Sequence, residues 1–138
     1  MFDDLDQVDW AGLHAEQAPQ SIKGLASGDR SIRNQSFDEL RDSGIYERPD
    51  FARSVVPYVL LILENSEVNP ETEVLLEFLR ALRQYAKGFV SDSLAVESAS
   101  QIINEIDSSV SIFRDLSENP LTKASALELI SDIENEQL

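Results

Sequence analysis

Asn69-Pro70-Glu71-Thr72-Glu73-Val74-Leu75-Leu76-Glu77-Phe78-Leu79-Arg80-Ala81-Leu82-Arg83-Gln84-Tyr85-Ala86-Lys87-Gly88 is the stretch on which the fold turns. Asparagine followed by proline is a strong helix start. The amide side chain caps free N–H groups, and proline needs no donor at the first position. The expected helix runs to about Lys87 and stops at Gly88. Val74, Leu75, Leu76, Phe78, Leu79, Ala81, Leu82, Tyr85 and Ala86 make it apolar over most of its circumference. Such a helix has to be covered on several sides, so other helices are expected around it.

Working outward, the chain reads as helix throughout. Pro19 opens a helix that carries Ile22, Leu25 and Ala26 and ends at Gly28. Asp29 caps a second helix with Ile32, Phe37 and Leu40 as its apolar positions, and Gly44 ends it. Asp50 is expected to cap a third helix, whose apolar face is Phe51, Val55, Val56, Val59, Leu60, Ile62 and Leu63. Pro57 lies inside this helix and should kink it. After the quoted stretch, Ala99, Ile102, Ile103, Ile106, Val110, Phe113 and Leu116 keep helical spacing. That is either one long helix or two separated near Ser108-Ser109. Asn119-Pro120 repeats the start seen at Asn69-Pro70, and Leu121, Ala124, Leu127, Ile130 and Ile133 are the apolar positions of the last helix. Residues 1–18 form an acidic arm with a possible turn after Asp9, and Trp10 is expected to pin it to the body.

No alternating pattern of useful length suggests strands, and no glycine-rich phosphate loop is present. Pairs of helices recur instead. Their starts at Asp29, Asn69 and Asn119 are spaced by roughly 40 to 50 residues, the period of helical-hairpin solenoids. Periodicity alone leaves an irregular helical bundle as the alternative.

Composition narrows the function classes. The chain of 138 residues has 11 Lys plus Arg against 26 Asp plus Glu, a net charge of −15. So negative a surface repels phosphate backbones and anionic lipid, which argues against nucleic acid and membrane partners and for a basic protein partner. With no cysteine, thiolate nucleophiles, disulfides and Cys-type metal sites are excluded. His14 is the only imidazole and has no recognisable nucleophile, so it reads as a solvated arm residue. Neither a calcium loop nor a nucleophile–base motif is present, and the chain reads as non-catalytic and without cofactor or metal. The acidic start, Met1-Phe2-Asp3-Asp4, is unlike a signal peptide, and the expected location is the cytoplasm.

Four segments carry a family resemblance: Leu5-Asp6-Gln7-Val8-Asp9-Trp10-Ala11-Gly12-Leu13, then Ile22-Lys23-Gly24-Leu25-Ala26-Ser27-Gly28-Asp29, then Phe37-Asp38-Glu39-Leu40, then Val55-Val56-Pro57-Tyr58-Val59-Leu60-Leu61-Ile62-Leu63-Glu64. Over about residues 5–64 this order resembles bacterial HEAT-like repeat proteins. In them an acidic Val-Asp-Trp arm precedes a Leu-Ala-Ser-Gly-Asp hairpin and a helix with an apolar proline-containing heart. The resemblance implies an all-α fold, a short right-handed α-solenoid of about three HEAT-like hairpins over residues 19–138. It also implies a protein-binding role, often that of an immunity protein that neutralises a toxin.

The polar faces locate the expected contact. Glu73, Glu77, Arg80 and Gln84 form one stripe, with Glu77 and Arg80 close enough in sequence to pair. Glu128, Asp132 and Glu136 form another. In a solenoid the second helices share one face, which makes Glu73, Glu77, Arg80, Glu128 and Asp132 the candidate protein-binding residues. A basic toxin domain, plausibly a nuclease, is the expected partner, with assembly into a larger complex as a scaffold subunit the alternative. The arm around Phe2 and Trp10 and the loop bearing Tyr46 and Arg48 are the next candidates.

Overall fold

The structure, a computed structural model, describes residues 2–136. Met1 of the expected arm and Gln137-Leu138 of the expected last repeat lie outside the described residues. Seven α-helices account for the fold, and no strand occurs among the described residues. They are α1 (Ala18–Leu25), α2 (Arg30–Asp42), α3 (Pro49–Asn65), α4 (Thr72–Phe89), α5 (Val96–Asp107), α6 (Val110–Leu116) and α7 (Lys123–Glu136). Short 3-10 turns occupy Leu5–Gln7 and Ile45–Glu47.

The central position of α4 follows from its pattern. It packs against α3, α5, α7 and the Ile45–Glu47 turn. Leu75, Leu76, Phe78, Leu79, Leu82 and Ala86 are buried along it. Around this axis α1 pairs with α2, α3 with both α1 and α5, and α6 with α7. The arm is part of the same core, with Leu5 and Trp10 buried in it. The Trp10 indole donates from Nε1 to the Leu5 carbonyl at 2.9 Å and meets the Phe51 ring edge-on, with centroids 6.4 Å apart. A tryptophan buries much area at little conformational cost, and buried Leu5 and the Phe2–Tyr58 contact hold the arm with it.

Local chemistry sets the boundaries. Asp29 caps α2 through Oδ1, which accepts from the N–H groups of Ser31 at 2.8 Å and Ile32 at 3.3 Å. Gly44 has φ +79°, a left-handed conformation suited to glycine, and it turns the chain after α2. The fifth expected helix is two, α5 and α6. The break falls at Ser108-Ser109, where the Ser109 hydroxyl donates to the Glu105 carbonyl. Such a bond competes with the helix ladder.

Several boundaries and faces differ from those expected. Pro49, not Asp50, takes the first position of α3; Asp50 lies in the first turn, where its Oδ1 accepts from the Ser98 hydroxyl of α5. Helix α4 runs through Gly88 to Phe89, because Gly88 does not adopt a left-handed conformation. Both Asn-Pro pairs form a turn before the helix instead of its first residues. In one, Asn69 Oδ1 accepts from the Glu71 N–H and Thr72 begins α4; in the other, Asn119 Oδ1 accepts from the Leu121 N–H and Lys123 begins α7. The sequence Asn-Pro-x-Thr recurs at 69–72 and 119–122, and both threonines are buried. Pro57 lies within α3 without ending it. On α2 the buried positions are Arg33, Ser36 and Leu40, and Ile32 is exposed. The cause is close approach to α1: a Cβ on Gly24 would meet Ser36 Oγ at 1.8 Å. On α7 the buried stripe is Ser125, Ala126, Leu129, Ile130 and Ile133, and Leu121 and Leu127 face outward. Small polar residues occupy helix contacts on both α2 and α7, and they shift the faces from those that apolar residues alone mark.

Leu79 has no exposed surface. Leu79→Ala should lower stability by about 2 to 5 kcal/mol, the cost of truncating a leucine in a close-packed core. Urea unfolding checks this, and a midpoint unchanged from the parent would show that α4 is not the packing axis.

Candidate functional site

Helices α4 and α7 lie side by side, and this brings most of the expected residues together. Arg80 on α4 reaches across to α7. Its Nε lies 2.6 Å from Asp132 Oδ2 and its Nη1 lies 2.8 Å from Glu128 Oε2. Glu77 lines a shallow cavity together with Arg80, Ala81, Gln84 and Glu128. Glu73, one helical turn before Glu77, is exposed. The expected pairing of Arg80 with Glu77 does not occur. A guanidinium offers a fork of donors, and two carboxylates on α7 satisfy more of it than one neighbour on its own helix. The bond to Asp132 is the chief reason that the pKa of Arg80 is raised. Asp132 is in consequence half-buried and committed to Arg80, so it is not a free acid of the surface. Among the five candidates, four carboxylates and one guanidinium leave a net charge of −3.

A second ion cluster holds this face from beneath. Arg83 projects from the same helix, and its side chain is only 3% exposed. Its Nε lies 2.8 Å from Asp107 Oδ1 at the end of α5, and its Nη2 lies 2.7 Å from Glu136 Oε2 at the end of α7. Lys87 Nζ adds a bond to Glu136 at 2.5 Å. Burial opposes the charge of Arg83, but its bonds to Asp107 and Glu136 outweigh this and raise the pKa. Glu136 is held below the ordinary glutamate value, first by its bond from Arg83 and then by that from Lys87. Sequence reading missed Arg83 because it counted long charged side chains as surface. The available signal was a basic residue inside the apolar arc of α4, flanked by Leu82 and Ala86.

A third feature lies further along α4. The Tyr46 and Tyr85 rings stack with centroids 5.0 Å apart and planes 22° from parallel. Tyr46 also meets Phe78 at 6.0 Å, and Phe37 meets Phe78 edge-on at 5.4 Å. Burial is the main reason that the Tyr46 pKa is raised. Tyr85, expected in the apolar arc, is 48% exposed.

The other candidates are structural in this arrangement. The arm residues Phe2 and Trp10 pack onto the body, Phe2 against Tyr58. Arg48 lies over the Phe51 ring at 4.7 Å and donates to the Leu13 and His14 carbonyls. His14 is exposed and has φ +54°. Between α2 and the start of α4, Arg33 Nη2 lies 3.2 Å from Glu71 Oε1 in a buried pair. Arg33 Nε and Glu71 Oε2 have no protein partner there, and both residues line a small cavity whose other walls include Leu25, Phe37 and Leu63. No group of three His, Asp or Glu residues able to hold a metal ion occurs among the described residues. None of their helices is long and apolar enough to cross a membrane.

Arg83→Ala should lower stability by about 3 kcal/mol. That is the low end for a broken buried pair, because Asp107 and Glu136 keep some contact with water. The pH dependence carries a sign. The folded pKa of Glu136 is lowered. Its contribution is therefore complete above the unfolded value of about 4.3 and lost as pH falls through the folded value. Urea midpoints measured from neutral to acid pH should fall more steeply for the parent than for the variant. Equal slopes would show that Arg83 does not hold Glu136.

No protein-family model, curated protein or solved structure matches the chain.

Proposed function

We propose that this protein is a non-catalytic binding module whose α4–α7 face receives a basic protein. In its most concrete form it is an immunity protein that covers the positive active-site surface of a toxin domain, such as a nuclease. The observation that carries the reading is the pair of exposed carboxylates Glu77 and Glu128 at one shallow cavity on two packed helices, with exposed Glu73 one turn before Glu77 on α4. The chain that bears them has a net charge of −15. Enzymes that act on nucleic acid present positive surfaces, and an acidic inhibitor steers towards them over distances comparable to the Debye length. Held by Asp132 and Glu128, Arg80 does not abolish this field. It fixes the two helices in the register that displays the remaining acids.

We read the helix order as a short right-handed α-solenoid of about three hairpins. Contacts of α3 with both α1 and α5, and of α4 with α7, support that order, since a solenoid stacks each helix on its equivalent in the next repeat. The recurrence of Asn-Pro-x-Thr before α4 and α7 supports it independently. In such a stack α4 and α7 are the second helices of successive hairpins, the ones that line a common face.

The test starts from the native cell. The tagged chain should capture a partner of strongly basic composition, identified by mass spectrometry. Its association rate should fall steeply with salt. Substitution of Glu73, Glu77 and Glu128 by Lys changes the net charge from −15 to −15 + 6 = −9. Asp132, the less exposed of the two acids that hold Arg80, is left in place. The three replaced positions are exposed, and Glu128 gives up one exposed ion pair with Arg80, so stability should change by under ~1 kcal/mol per site, while the association rate should drop by about tenfold or more. A neutral or acidic partner, or a triple variant that associates at the parental rate, would overturn the reading.

A further inference from the structure

The Tyr46–Tyr85 pair does work that the acidic face alone does not explain. Exposed aromatic side chains are costly to leave in water, and here one is held half-exposed on the helix that carries Glu77. The pair is a firm support, since Tyr46 is fixed against buried Phe78 on its other side. Tyr85, Ala81 and Glu77 follow one another at intervals of four on α4, so they form a single stripe. That stripe runs from the stacked rings to the acidic cavity over about 12 Å, at 1.5 Å of rise per residue. Ala81 between them is small and leaves the path open.

We infer that the Tyr46–Tyr85 pair is the anchor of the docking surface and takes an arginine side chain from the basic partner. Glu77 and Glu128 hold further basic residues about 12 Å away along the stripe. This rests on the reading of α4–α7 as a face for a basic protein. Charge complementarity selects the occupant. The ring faces carry negative quadrupole and the chain as a whole carries a net charge of −15, so a cation gains from both. Arginine fits better than lysine because its planar, weakly hydrated guanidinium stacks on a ring. This aromatic edge already accommodates that chemistry within the chain: Arg41 Cζ lies 5.6 Å from the Phe37 centroid. Arg41 is itself neutralised, with Asp38 at 3.0 Å and Asp42 at 3.7 Å, so it does not close the edge to a second guanidinium. Tyrosine and arginine are also the residues that most often carry the energy of protein interfaces.

The experiment uses oligoarginine and oligolysine peptides of equal length and charge as probes, titrated into the full chain by calorimetry at low salt. The parent should bind oligoarginine about three- to fivefold more tightly than oligolysine, the range of an exposed cation–π contact. Tyr85→Leu should remove that preference and leave oligolysine binding unchanged, whereas Tyr85→Phe should keep it. Helix content by circular dichroism and the thermal midpoint verify that each variant is folded. Equal affinity of both peptides for the parent, weakened by Lys at positions 73, 77 and 128 but not by Tyr85→Leu, would overturn the anchor and leave the acidic face standing. Failure of both peptides to bind, or binding indifferent to the triple substitution, would overturn both. A concentration-dependent dimer of the parent that Tyr85→Leu dissolves would show that the rings meet a second copy of the chain, which also overturns the inference.

Discussion

A guanidinium cannot be taken out of water without carboxylates to meet it, and Arg83 is almost wholly out of water. That constraint organises the C-terminal half of the molecule. Arg83 belongs to the central helix, Asp107 ends α5 and Glu136 lies in the last turn of α7. One side chain thus ties α5 and α7 to the central helix. Apolar packing by itself is indifferent to small slides of one helix along another. A buried ion cluster is not, because any slide leaves a charge unpaired. Arg80, one turn earlier, repeats the device at the surface with Glu128 and Asp132.

The display of the acidic face follows from this registration. With α4 and α7 held by Arg80 and Arg83, Glu77, which stays outside these pairs, lies beside Glu128, and exposed Glu73 stands one turn before it on α4. The stacked tyrosines lie further along the same exposed arc, where the Ile45–Glu47 turn packs against α4. Helix α4 therefore supplies core residues and the surface residues of both features. Its inner arc holds the core, and its narrow outer arc carries Glu73, Glu77, Ala81, Gln84 and Tyr85. Rigid presentation of this kind lowers the ordering cost of association.

The helical class, the positions of most helices and the buried course of α4 were legible in the sequence, because periodicity and caps are local. Asp29, Gly44 and the serines at 108–109 act where they stand, and their roles depend on nearest neighbours alone. The candidate residues on α4 and α7 were legible as stripes, but their partners were not. Arg80 pairs across 52 residues with Asp132, and Arg83 across 24 with Asp107. Such pairings depend on how helices stack, which periodicity does not encode. The faces of α2 and α7 were misread for a related reason. Ser36, Thr122 and Ser125 are buried at close helix contacts, and small polar residues give no apolar signal. Tyr85 was assigned inward with the other apolar residues, although it lies at the margin of the arc where burial gives way to solvent.

The central claim is that the exposed arc of α4 and the adjoining face of α7 meet a basic partner. Carbodiimide labelling of carboxylates, read residue by residue with mass spectrometry, measures this contact directly on the native complex. Glu73, Glu77 and Glu128 should label readily in the free chain and be protected in the complex. Asp6 and Glu16, exposed in the arm, should label equally in both. Protection at Asp6 and Glu16 with unchanged labelling at Glu73, Glu77 and Glu128 would contradict the claim and move the interface to the arm.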